Sequence, residues 1–244
     1  MDKNSQNLII KSLNVDWGKI SKDSYLRKIP ALSSLESMVF SSGITFFEGS
    51  NGSGKSTLLE AIAVSYGFNP EGGTKNANFN NFYDLSELHN AVILAKGSTW
   101  KVSGYFFRAE SFFNLSSYMD ETDRHNPYGP TFGKELHNQS HGESFLNFIN
   151  HYCSRGLYIL DEPEAALSPQ NQLAVLCRIA EMAKEGSQFI IATHSPILLG
   201  IPDARIMSFS EDGIVPCQYE RTQSYIITKS FLCGRERMLK EMLG

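Results

Sequence analysis

Short runs of apolar or alternating residues, bounded by glycine, serine or aspartate, recur along the chain and predict β-strands. The run Leu157–Leu160 shows no alternation, which is typical of a strand that is buried on both faces of its sheet. The predicted strands are Leu8–Val15, Val39–Phe47, Ala91–Ala95, Lys101–Phe107, Gly156–Asp161, Gln188–Thr193, Arg205–Phe209 and Ile214–Cys217.

Apolar residues at helical spacing predict helices between these strands. One helix is expected to start at Pro169, after Ser168 as its N-cap, and to end at Gly186. The predicted helices are Lys55–Tyr66, Phe112–Met119, Gly142–Cys153, Pro169–Lys184, Arg221–Leu232 and Glu236–Leu243. This mixture of strands and helices predicts an α/β fold with a mostly parallel core sheet.

Two stretches show neither pattern. Asn69–Asp84 is rich in Asn and Gly, and Glu121–Ser140 is rich in polar residues, Pro, Gly and His. Both are predicted to be loops, and loops of this length inside a compact domain are usually functional or mobile.

The composition is that of an ordinary globular protein, with 244 residues, of which 41% are hydrophobic and 20% charged. The net charge of −4 provides no overall positive field that would attract nucleic acid. A basic cluster near the C-terminus forms either a solvated helix face or a weak, salt-dependent DNA contact; it consists of Lys229, Arg235, Arg237 and Lys240. The aromatic residues Phe106, Phe107, Phe112 and Phe113 are expected in the core rather than on a base-stacking platform.

No apolar run approaches the roughly 20 residues that a membrane-spanning helix needs. Near the N-terminus only Leu8, Ile9 and Ile10 are consecutive apolar residues, which is too short for a signal peptide. We therefore expect a cytoplasmic protein without membrane insertion. The cysteines form no C-x-x-C pair and are expected to be reduced, buried thiols without a zinc site; they are Cys153, Cys177, Cys217 and Cys233.

A glycine-rich segment, Gly49–Ser56, matches the phosphate-binding pattern G-x-x-x-x-G-K-[ST] at every specified position. A predicted strand precedes it and a predicted helix follows, as the motif requires. The glycines allow successive N–H groups to face phosphate oxygens, and the helix N-terminus adds partial positive charge. Lys55 is expected to reach the β- and γ-phosphates of ATP, and the Ser56 hydroxyl to ligate Mg²⁺. The predicted nucleotide-binding residues are Gly49, Ser50, Asn51, Gly52, Ser53, Gly54, Lys55, Ser56 and Thr57.

Two carboxylates, Asp161 and Glu162, end the apolar strand that begins at Gly156. Carboxylates in such a position are unfavourable unless a cation or a proton meets them, although an Asp-Glu pair alone also suits a solvated turn. Beside a phosphate-binding loop, Asp161 is predicted to hold Mg²⁺ and Glu162 to polarise the attacking water.

Ser140-His141-Gly142-Glu143 resembles the signature motif of ABC-type ATPases, with Gln139 and His141 as departures from it. The number of residues between this segment and Asp161 is the number that the family pattern requires. In that family the signature contacts the nucleotide held by a second subunit. The resemblance therefore implies that Ser140 and Gly142 also bind nucleotide and that two copies assemble around ATP.

Two later segments are similar to further ABC motifs, in the family's order. Asp161–Pro169 looks like the extended Walker B and D-loop, with Ser168 replacing the usual aspartate. Ile190–Ser195 resembles the strand that ends in the switch histidine. The resemblance implies that His194 contacts the γ-phosphate, whereas a lone histidine in other contexts is usually a core residue.

With Glu143 at the end of the signature and Glu164 after Asp-Glu-Pro, the chain resembles the soluble RecF, SMC and OLD-like branch of the family. Membrane-transport subunits usually carry Gln at the first of these positions and Thr or Ser at the second. The stretch from Lys55 to Ser140 is too short for the long coiled coil of SMC proteins. This resemblance implies a single ABC-type ATPase domain over residues 1–244. It would have a mostly parallel core sheet, an antiparallel β part and a small helical subdomain inserted at about residues 111–155.

The Q-loop of the family has its best counterpart near Glu110, although no Gln is present there. Glu110 is a candidate metal-site residue on this resemblance. Alternatively, Arg108 and Glu110 form a structural ion pair.

Three functions fit these patterns. The preferred one is Mg-dependent ATP hydrolysis that drives closure of a homodimer and so controls a partner protein or DNA. The second is the ATPase subunit of a membrane transporter, which Glu143 and Glu164 disfavour. The third is an ATP-binding regulatory module with negligible turnover, which an intact Glu162 and His194 disfavour.

Overall fold

The computed structural model describes residues 8–74, 85–98, 103–108, 141–151 and 153–244. Its strands are β1 (Ile10–Val15), β2 (Ser37–Val39), β3 (Ile44–Gly49), β4 (Val92–Lys96), β5 (Ser103–Arg108), β6 (Gly156–Asp161), β7 (Gln188–Ala192), β8 (Arg205–Ser210) and β9 (Gly213–Cys217). Its helices of four residues or more are α1 (Pro30–Ser33), α2 (Lys55–Tyr66), α3 (Leu88–Ala91), α4 (His141–His151), α5 (Pro169–Lys184) and α6 (Gln223–Leu243), besides short 3-10 turns.

The larger sheet has six strands in the order β5-β6-β7-β3-β8-β9. All neighbouring pairs are parallel except β8 and β9, which form an antiparallel hairpin. Every residue of β3, β6 and β7 is buried, as expected for strands that both faces of a parallel sheet cover. The predicted α/β fold with a mostly parallel core sheet is confirmed.

A smaller antiparallel sheet has the order β2-β1-β4 and supplies the antiparallel β part. It corrects the prediction of a single strand over Val39–Phe47, because β2 and β3 belong to different sheets. The chain bends between them at Ser42, whose hydroxyl accepts a hydrogen bond from the Ile44 main chain and donates one to the Asp203 carbonyl. Uniform hydrophobicity on both sides of the bend concealed it.

The bounds of α2 and α5 coincide with the prediction. Gly54 and Gly67 flank α2 in left-handed conformations, and the Ser168 hydroxyl caps α5 by accepting from the Asn171 main chain at 3.2 Å. The predicted break between Leu232 and Glu236 corresponds to a kink at Gly234, whose backbone angles (φ −133°, ψ 29°) are not helical, within the last helix Gln223–Leu243.

Two hydrophobic clusters lie on opposite faces of the large sheet. One joins α2 and the antiparallel sheet to residues such as Phe47 and Phe106, and the other joins α4 and α5 to residues such as Phe107. Adjacent residues in a strand face opposite sides, which explains why Phe106 and Phe107 enter different clusters. The prediction that they are core residues is confirmed, while Phe112 and Phe113 lie outside the described residues.

The four cysteines are unpaired, but none is fully buried and Cys177 and Cys233 are exposed. The prediction of buried thiols is therefore wrong for those two, which lie on the outer faces of helices. Burial raises the pKa of the partly buried Cys153 thiol to about 12. Across the described ranges, no helix combines the length and the hydropathy required to cross a membrane.

Candidate functional site

The glycine-rich loop connects β3 to α2 at the carboxyl end of the parallel sheet, with β7 and β8 on either side of β3. Gly49 has φ +152°, and a Cβ there would lie 2.5 Å from the Phe209 carbonyl oxygen. Gly54 has φ +96°, and a Cβ there would lie 2.7 Å from Leu32. Both positions therefore require glycine to hold the loop against the strand and helix beside it.

Lys55, the first residue of α2, is 5% exposed, and its ammonium group lies against the loop that precedes it. Nζ donates hydrogen bonds to the carbonyl oxygens of Gly49 at 2.7 Å and of Ser50 at 2.9 Å. Burial lowers the pKa of Lys55, and the negative charges of Glu162 and Asp161 act in the opposite direction. The loop thus encloses a buried cation whose present partners are neutral carbonyl groups.

The structure brings Ser56 and Asp161, the two predicted Mg²⁺ ligands, into contact. The Ser56 hydroxyl donates a hydrogen bond to Asp161 Oδ1 at 2.9 Å, which joins the start of α2 to the end of β6. The Asp161 residue is 9% exposed. A hydroxyl and a carboxylate at this spacing offer the oxygen ligands that hard divalent cations prefer.

Glu162 follows β6 in a left-handed conformation, with φ 48° and ψ 53°, which is uncommon for a residue other than glycine. Its main-chain N–H still continues the sheet by donating to the Ala192 carbonyl at 2.9 Å. Glu162 Oε1 lies 3.8 Å from His194 Nε2, and both side chains are partly exposed. The strained turn therefore places the carboxylate beside the predicted histidine and near the Lys55 charge.

Glu164 is a site residue that the sequence interpretation used only to choose a family branch. Its Oε1 accepts a hydrogen bond from the His194 main-chain N–H at 2.6 Å. The following residue is also fixed, because the Ser195 hydroxyl donates to Gln172 Oε1 at 2.6 Å. These contacts join positions far apart in sequence, so only the acidic residue after Asp-Glu-Pro was available as a signal.

Glu48 is a second acid that sequence reasoning missed. It precedes the first glycine of the loop, is 2% exposed and accepts hydrogen bonds from the Gln223 main chain at 3.1 Å and from the Ser208 hydroxyl at 3.2 Å. The strand prediction ended one residue before it. A glutamate inside an otherwise apolar strand was the available signal.

Of the remaining predicted site residues, some lie in the part of the chain that the structure describes and others lie outside it. Gly142 lies in the first turn of α4, whereas Ser140 and Glu110 lie outside the described residues, and their roles stay predictions. Arg108 forms an ion pair with Glu60 at 2.8 Å and also bonds to the Pro70 carbonyl. The alternative in which Arg108 pairs with Glu110 stays a prediction, because Glu110 lies outside the described residues.

Comparison with known families gives two matches. Residues 26–117 match the family described as "AAA domain", and residues 140–200 match the family described as "AAA domain, putative AbiEii toxin, Type IV TA system". The sequence matches no curated protein.

Solved structures similar to the chain include "SMC head domain from Thermotoga maritima", with 16% identity, 86% of this chain and 100% of that chain covered, and a TM-score of 0.44. Another is cbiO1 from Clostridium perfringens, part of the ABC transporter complex cbiONQ, with 17% identity, 98% and 100% coverage, and a TM-score of 0.49.

The chemistry available at this edge of the sheet is set by charge and by donor groups. A glycine loop with a buried ammonium group and a helix N-terminus favours an anion. Carboxylates and a hydroxyl next to it favour a hard cation. An anionic ligand that carries a divalent cation satisfies both halves of the site.

Proposed function

We propose, on the premise that the chain is a P-loop ATPase of the SMC and ABC type, that it binds Mg-ATP at Gly49–Thr57 and hydrolyses it with Glu162 as the base. The observation that carries this proposal is the 2.9 Å hydrogen bond between Ser56 and Asp161. It joins the phosphate-binding loop to the acidic end of β6, so that one ligand can contact both.

The polar groups of the loop fit a polyphosphate. Ser53 Oγ is buried and has no hydrogen-bond partner among the described residues, which leaves its hydroxyl available to a phosphate oxygen. Lys55 would exchange its two carbonyl partners for phosphate oxygens and gain charge-assisted hydrogen bonds. The positive-φ glycines allow the main chain to approach the phosphates closely.

Ser56 and Asp161 would hold Mg²⁺, because their oxygens match the ligand preference of this ion. When bound, Mg²⁺ would neutralise the negative charge that develops on the phosphate oxygens. Glu110 is a further candidate ligand of Mg²⁺, on the basis of the sequence alone. The buried Asp161 carboxylate would then have a cation as partner, which offsets its desolvation.

Glu162 would accept a proton from the attacking water. Its carboxylate is partly exposed and so can meet water, and the left-handed turn directs it away from the buried strand that precedes it. His194 would contact the γ-phosphate, since its ring lies at the same edge of the site as Glu162.

Two copies of the chain would close around ATP, each completing the site of the other. Ser140 and Gly142 would contact the nucleotide of the opposite copy, and a helix that begins near Gly142, as the sequence predicts, suits an anion there. Closure and reopening would then control a partner protein or DNA.

The test of the hydrolytic function is steady-state phosphate release, together with binding of a labelled nucleotide. Lys55→Ala should abolish binding, because the charge that faces the phosphates is lost. Lys28→Ala, which removes an exposed lysine, is the matched control and should behave like the wild type. Unchanged nucleotide affinity in a folded Lys55→Ala variant would show that this loop does not bind the nucleotide.

A further inference from the structure

We infer that Glu164 is a positioning residue for His194, an inference that rests on the proposed ATP hydrolysis at the same site. Its Oε1 accepts the His194 main-chain N–H at 2.6 Å, which is short for a nitrogen donor. Hydrogen bonds to an ionised acceptor are shorter and about twice as strong as neutral ones. This contact holds the main chain of His194 rather than its ring.

The second oxygen of the same carboxylate is not explained by folding alone. Glu164 Oε2 is buried and has no hydrogen-bond partner within the part of the chain that the structure describes. Burying a half-satisfied carboxylate is unfavourable, and a neutral side chain could also have accepted from His194. Burial lowers the pKa of Lys55, and Glu164 contributes the smallest of the four carboxylate effects that oppose this shift.

Two acids therefore contact one histidine from different sides. Glu162 faces the ring at 3.8 Å, and Glu164, two residues later in the 3-10 turn Pro163–Ala166, holds the main chain. Ser195 is anchored independently to α5 through Gln172. Loss of Glu164 would free the His194 main chain on one side only, so that the ring would leave its position relative to Glu162 while the fold persists.

Kinetics of two substitutions at this position test the role. Glu164→Ala should lower kcat about tenfold, the effect of losing one charge-assisted hydrogen bond, and change KM for ATP by less than about twofold. Glu164→Gln retains an acceptor oxygen and should recover kcat to within about threefold of the wild type. Glu181→Ala removes an exposed glutamate on α5 and should change neither parameter. Equal losses in the Ala and Gln variants would contradict positioning through this hydrogen bond.

A double-mutant cycle decides whether Glu164 acts through His194. In a His194→Ala background the added Glu164→Ala should reduce kcat by less than about twofold, because the ring it positions is already absent. A loss as large as in the wild-type background would overturn the inference. Absence of phosphate release from the wild type would overturn the proposed function, whereas wild-type release with a silent Glu164→Ala variant would overturn this inference alone.

A measurement without ATP tests the contact itself. In protein labelled with ¹⁵N-histidine, the His194 amide resonance is identified by its loss in His194→Ala. Glu164→Ala should move this amide proton upfield by more than any other histidine amide, because the bond to a carboxylate is lost. An unmoved resonance would show that Glu164 does not hold His194 in solution.

Discussion

The Glu48 carboxylate accepts a hydrogen bond from the main-chain N–H of Gln223 at 3.1 Å, which ties the strand before the phosphate-binding loop to the first residue of the last helix. Thr222 caps that helix, so the carboxylate lies at the partly positive N-terminal end. Ser208 on β8 donates to the other carboxylate oxygen at 3.2 Å. Glu48 thus fixes β3, β8 and α6 in one buried contact.

Replacing Glu48 should therefore destabilise the fold. Glu48→Ala leaves the Gln223 N–H and the Ser208 hydroxyl without this partner and should lower the free energy of unfolding by about 1–3 kcal/mol. Urea unfolding followed by circular dichroism measures the change. Glu211→Ala, at an exposed position in the β8–β9 hairpin turn, is the control and should stay within about 0.5 kcal/mol of the wild type. Equal stabilities of the two variants would mean that the buried contact contributes nothing.

Glu162→Gln should remove hydrolysis while ATP binding persists. The amide keeps the size of the carboxylate but does not accept a proton from water, so phosphate release should fall by about a hundredfold or more. Steady-state release and nucleotide titration on the same preparation separate the two effects. Turnover close to that of the wild type would transfer the role of base to another group, of which His194 is the next candidate because it lies 3.8 Å away.

The two loop glycines Gly49 and Gly52 should differ in their tolerance of a methyl group. Gly49→Ala places a Cβ 2.5 Å from a backbone oxygen, so either the loop or β8 must shift. Gly52→Ala meets nothing within 4 Å and carries only the strain of φ +79°. We expect a cost of about 1 kcal/mol for Gly52→Ala and clearly more for Gly49→Ala. Thermal unfolding of both variants measures this order, and the reverse order would contradict the geometry.

The sequence predicted the elements whose causes are local. Ser168 and Pro169 begin α5, and the glycines flanking α2 fix its two ends, so both helices were predicted with correct bounds. The loop motif, Asp161 and Ser56 also followed from short patterns. The bend near Ser42 depends on Asp203, and the role of Glu164 depends on His194, so neither could be predicted before the strands were ordered.

The proposed composite site implies that two copies of the chain dimerise around ATP. Solution measurements can test this consequence directly. On the proposed function, Lys55, Ser56 and Asp161 of each copy would provide the groups for ATP and Mg²⁺, which would leave the signature residues free to act on a second copy. ATP would then be buried in the interface, and dimerisation would depend on nucleotide by mass action. Hydrolysis would remove the γ-phosphate and weaken the interface.

Glu162→Gln, which should retain ATP, is expected to shift from monomer to dimer when Mg-ATP is added. The further substitution Ser140→Arg should prevent this shift, because a large side chain would replace the small hydroxyl predicted to contact the opposite nucleotide. Ser41→Arg, at an exposed position before β3, is the matched control and should dimerise normally. Light scattering coupled to size-exclusion chromatography measures both states. ATP-dependent dimerisation of the Ser140→Arg variant would exclude the composite site for this protein, since the signature would then lie away from the nucleotide.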